Sequence, residues 1–164
     1  MTKNPPLTPE EAKALFQNLS RMTKGEKLEA LQLLDGKEEH NKRNLAKTDM
    51  IEFAKAVYPG FKVGPHHRKL AKIFADVIDG KKKRVIINIA PRMGKSEFSS
   101  YLFPAFFLGN FPEKKIIMGT HTAGLSEDFG RRVRNLIDSD DYKELFTHTQ
   151  IADDQKAAGK WSTS

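Results

Sequence analysis

Residues 88–100 read NIAPRMGKSEFSS, and whether this stretch holds phosphate decides the fold expected around it. It carries Gly94, Lys95 and Ser96, the end of the phosphate-loop pattern G-x-x-x-x-G-K-[ST], yet Ile89 stands where that pattern has its first glycine. A phosphate loop needs N–H groups facing the anion, a helix N-terminus behind them and a cation that reaches the terminal phosphates. Gly94 permits close backbone approach, Lys95 supplies the cation and Ser96 offers a hydroxyl to Mg²⁺. Pro91 fixes φ where the chain leaves the preceding run, and Arg92 adds a permanent charge for the γ-phosphate. Glu97 is placed to orient Lys95 or Arg92 rather than to activate water, because it lies on the other side of the helix start. G-K-[ST] alone arises by chance in about one chain of this length in ten, so the flanking sequence must decide.

Those flanks alternate in type. Val85 to Ala90 is an almost unbroken apolar run, expected as a buried strand, and a helix is expected from Gly94 onward, with a kink or break near residues 100–103 because Pro104 lacks a donor. Lys115 to Thr120 is expected as a second strand. Helices follow over 121–139, with Leu125, Phe129, Val133 and Leu136 inward and Arg131, Arg132 and Arg134 outward, and over 140–146, before a polar tail. Strand, glycine loop, helix, strand, helix predicts an α/β, P-loop NTPase-like domain: an incomplete parallel sheet with flanking helices.

Upstream, Thr8 with Glu11 and Thr23 with Glu26 mark two helix starts, and Gly36 closes the second. Residues 37–48 are charged and without periodicity, which predicts a linker. Helices are expected over 48–58 and 65–79, the second opened by Pro65 and followed by Gly80. The expected organisation is a helical N-terminal segment with linker, 1–47, and a partial P-loop ATPase domain, 48–164.

Formal net charge is +7 over 164 residues, which favours polyanionic partners. No cysteine is present, so disulfides and thiolate metal sites are excluded. The start lacks a signal-peptide layout and no apolar run reaches bilayer length, which reads as cytoplasmic with no membrane partner. His66 and His67 are first of all exposed or capping residues and only second nucleotide contacts. Three functions remain open on the residues alone: an ATP-driven motor, another P-loop ATPase or nucleotide kinase, and a basic helical module that binds DNA or a partner through KKKR (81–84), with the G-K-S loop incidental.

The combination P-R-M-G-K-S-E (91–97), Phe103-Pro104, IIMGT (116–120) and F-G-R-R-V-R (129–134), preceded by YPGF (58–61) and PHHRKLAKIF (65–74), resembles the ATPase core of phage large terminase subunits, the motors that package viral DNA. In that family the first glycine of the loop is often replaced and the arginine is usual. The resemblance implies that Ala90, Pro91, Arg92, Met93, Gly94, Lys95, Ser96 and Glu97 line the phosphates of ATP, with Lys95 and Arg92 catalytic and Ser96 on Mg²⁺, and that residues 58–67 lie against the adenine. It implies double-stranded DNA, the small terminase subunit and the portal protein as partners. It further implies a homo-oligomeric ring at the procapsid portal vertex in the cytoplasm of the infected bacterial host. The family's acidic strand, which holds Mg²⁺ and activates water, is not found: DSDDY (138–142) follows a helix, and QIADD (150–154) has only Ile151 and Ala152 ahead of its aspartates. The chain is therefore expected to be the N-terminal piece of a larger motor whose nuclease domain lies elsewhere. It should have exposed apolar strand edges, weak ATP binding and little turnover.

Overall fold

The computed structural model describes residues 10, 13, 22–156 and 161–163. The chain divides into two compact units, residues 1–44 and 45–164. The helix start expected at Thr8 lies outside the described residues. At Thr23 the reciprocal cap forms: its N–H donates to the Glu26 carboxylate at 2.7 Å, and the Glu26 N–H donates back to the Thr23 hydroxyl at 3.4 Å.

Helix α1 then runs over Lys24–Thr48 without a break. Gly36 does not end it and the linker expected over 37–48 is helical, because its charges repeat at helical spacing. Lys42 pairs with Glu38 at 2.7 Å and Arg43 with Glu39, each four residues apart. Leu28 and Leu31 are more than half exposed.

The second unit is a small helical assembly. Asp49 caps α2 (Met50–Val57) by accepting from the N–H groups of Ile51 and Glu52. Pro65 opens α3 (Pro65–Ile78). A π-helical stretch, Glu97–Leu102, leads directly into α4 (Phe103–Asn110). Pro104 is the reason: with one N–H gone, the ladder widens, and the N–H of Phe103 reaches back five residues to the carbonyl of Phe98. Thr122 caps α5 (Ala123–Ile137) and Ser139 caps α6 (Asp140–Leu145).

Apolar faces of these helices close on one core. Phe53 is fully buried at its centre, with ring centroids of Phe106, Tyr142 and Phe146 at 5.3, 6.1 and 6.0 Å. Such pairs contribute about 0.5–1.5 kcal/mol each beyond area burial. The Tyr142 hydroxyl donates to the carbonyl of Ala105 at 2.8 Å, so its polar end is satisfied inside, and burial holds the phenol protonated far above its ordinary range.

The expected α/β fold is not what forms. Val85–Ala90 and Lys115–Thr120 are extended, but neither joins a ladder, and among the described residues the one sheet is an antiparallel pair, β1 (Ile151–Lys156) with β2 (Trp161–Thr163). That pair lies in the segment expected as a polar tail. Apolar alternation still governs 85–90: Ile87 and Ile89 pack against the core while Ile86 is 89% exposed. A strand requires a neighbour for its N–H and C=O groups. No described segment supplies one, so local sequence sets an extended backbone without a sheet, and a P-loop α/β fold is not supported.

Candidate phosphate-binding loop

Residues 90–97 connect the extended segment to the helix that contains the π-helical stretch. Ala90, Pro91, Arg92, Lys95 and Ser96 are exposed, Met93 is 43% exposed, and Gly94 is half-buried. Two residues turn left-handed: Arg92 at φ 64° and Gly94 at φ 72°. Glycine takes that conformation freely. For Arg92 it costs on the order of 1–2 kcal/mol, and such strain gathers at ligand clamps and switches. Among the described residues, no N–H group from Arg92 to Ser96 donates to a protein acceptor, and neither Lys95 nor Arg92 is in an ion pair. Main-chain donors in a turn with left-handed residues, ahead of a helix and beside two free cations, suit an anion.

Gly94 is held from below. The imidazole of His67 sits against it, and a Cβ at position 94 would lie 3.0 Å from Nε2. His67 is itself fixed by the fold, since its Nδ1 accepts from the N–H of Gly64 at 3.0 Å and its ring packs on Phe61 and Phe98. With Nδ1 an acceptor, the proton is on Nε2, 3.2 Å from Nε2 of His66. Burial first, and the neighbouring His66 second, push the His67 pKa below its ordinary 6.5. His67 is thus a helix cap and a floor for the loop. Its spacing, three residues after the Gly64 cap, is the signal in the sequence.

Glu97 does not orient Lys95 or Arg92. Its carboxylate is gripped by Arg132 of α5 through both guanidinium nitrogens, Nη1 on Oε1 at 3.0 Å and Nη2 on Oε2. Arg132, expected outward, turns in over the Tyr101 ring at 4.4 Å from its centroid. Thirty-five residues separate the partners, and no local pattern announces them. In the segment expected against adenine, Tyr58 meets Phe61 and Tyr101 edge-on, at 6.0 and 6.4 Å.

For a cation, Ser96 presents a hydroxyl, and no group of three or more histidine or acidic side chains among the described residues is placed to hold a metal. A cavity of about 500 Å³, lined in part by Arg68, Lys72, Ile78 and Phe106, includes none of the loop residues. The arrangement offers donors and charge for phosphate. With Glu97 committed to Arg132, the loop offers no free carboxylate of its own to activate water. Compared with known proteins, the chain matches no family model, no curated protein and no solved structure.

Proposed function

We propose that residues 90–96 bind the triphosphate of a nucleotide, ATP with Mg²⁺, and that the chain contributes this nucleotide site to a viral DNA-packaging motor of the large-terminase kind. The observation that carries the proposal is the set of unengaged N–H groups from Arg92 to Ser96, in a turn with two left-handed residues and the unpaired ammonium of Lys95 beside it. The order P-R-M-G-K-S-E and the net charge of +7 support the same assignment. In it, Lys95 reaches the β- and γ-phosphates, Arg92 contacts the γ-phosphate, and Ser96 meets Mg²⁺. Binding without appreciable turnover is expected of this chain, because the loop lacks a free base. Double-stranded DNA, a small terminase subunit and a portal protein are the proposed partners, in a ring of copies.

The test is titration of the protein and of Lys95→Ala with ATP and with inorganic triphosphate, each with and without Mg²⁺. Loss of about tenfold or more in affinity on removing the ammonium is expected. Equal affinities reject the assignment. DNA binding that falls steeply with salt and ignores ATP would instead favour a basic DNA-binding module with an incidental loop.

A further inference from the structure

Glu97 directly follows Ser96, so a carboxylate sits in the first turn of the helix that carries the loop. An anion against the loop N–H groups would lie within about one helical pitch of it, roughly 5.4 Å along the axis. That is inside the screening length of about 8 Å at physiological ionic strength, so an uncompensated Glu97 would repel phosphate. Arg132 removes that charge at source. Its fork takes both carboxylate oxygens, while its flat face lies on Tyr101 at 4.4 Å and near Phe129 at 5.7 Å. Neighbouring Arg131 is spent locally on Asp128, so Arg132 is the arginine committed to the loop's helix.

We infer that Arg132 is a positioning residue for phosphate binding: by neutralising Glu97 it keeps the field at the amino end of this helix positive. The inference rests on the phosphate-loop assignment. It acts through charge, which separates it from a mere tether between α5 and the loop helix. A tether needs both partners; charge compensation needs only that Glu97 not be left bare.

The experiment measures inorganic triphosphate affinity by calorimetry for wild type, Lys95→Ala, Arg132→Ala, Glu97→Gln and the Glu97→Gln/Arg132→Ala double variant, at low and high salt. Arg132→Ala should bind about three- to tenfold more weakly at low salt, with the deficit shrinking as salt rises. The double variant should return to within about twofold of wild type, and Glu97→Gln alone should bind at least as tightly as wild type. If Arg132→Ala does not fold, Arg132→Gln, which drops the charge but keeps a donor towards Glu97, replaces it. Unchanged affinity in Arg132→Ala, or a double variant as weak as the single one, overturns the inference and leaves the loop assignment standing. Equal binding by wild type and Lys95→Ala, or none by wild type, overturns the loop assignment and the inference with it.

Discussion

Nε2 of His67 lies where a side chain on Gly94 would begin: a Cβ at that glycine falls 3.0 Å from the nitrogen. The loop therefore needs glycine twice over, for its φ of 72° and for the imidazole beneath it. Gly94→Ala should lower the melting temperature, by an amount corresponding to about 1–2 kcal/mol, and weaken triphosphate binding by about an order of magnitude. A variant that melts and binds like wild type would show that the loop is not constrained from below.

His67 makes stability depend on pH. Its folded pKa lies under 6.5, so the unfolded chain takes up the proton first as pH falls. The stabilising contribution is complete above that value and is lost as pH drops towards the folded pKa. Melting temperature should decline between about pH 7.5 and 5.5, and more steeply than in His67→Asn, whose side-chain oxygen can accept from Gly64 without titrating. Parallel curves for the two proteins would contradict this.

Gly109 is a packing glycine. A Cβ there would meet ring carbons of Phe146 at 2.6–2.8 Å, and that ring is locked against Phe53 and Tyr142. Gly109→Ala should cost about 1–3 kcal/mol through overpacking. Tyr142→Phe, which loses the hydrogen bond to Ala105, should cost about 1 kcal/mol. Urea denaturation ranks the two, and a neutral Gly109→Ala would mean that helix α4 and Phe146 separate easily.

Ile86 and Ile117 are 89% and 97% exposed on extended backbone with no ladder partner among the described residues. Such edges pair with whatever strand is offered. Sedimentation velocity should show association that grows with concentration, and an Ile86→Lys/Ile117→Lys variant should remain monomeric over the same range. Identical behaviour of both proteins would place the sticky surface elsewhere.

Much of the helical layout was legible because its signals are local. Thr23 and Glu26 form their reciprocal cap, Pro65 opens α3, and apolar spacing picks out Val133 and Leu136 as core. Pro104 announced the disturbance that became the π-helical stretch. The charged run 37–48 misled because its ion pairs, Glu38 with Lys42 and Glu39 with Arg43, hold a helix without an apolar stripe. In the candidate site, Gly94, Lys95 and Ser96 were recognisable by type and order. The left-handed turn of Arg92, the His67 floor and the grip of Arg132 on Glu97 were not, since each depends on groups brought together by folding.

Sequence alone determined the helix starts at Thr23 and Pro65, which apolar runs lie outside the helices and which residues carry donors and charge for an anion, because caps, periodicity and residue chemistry act over a few positions. Tertiary structure alone decided that the two apolar runs find no ladder partner among the described residues, that Arg132 turns inward and that His67 supports Gly94. A strand ladder, a bidentate ion pair and a steric floor each require a second surface, and no stretch of chain specifies by itself what will lie against it.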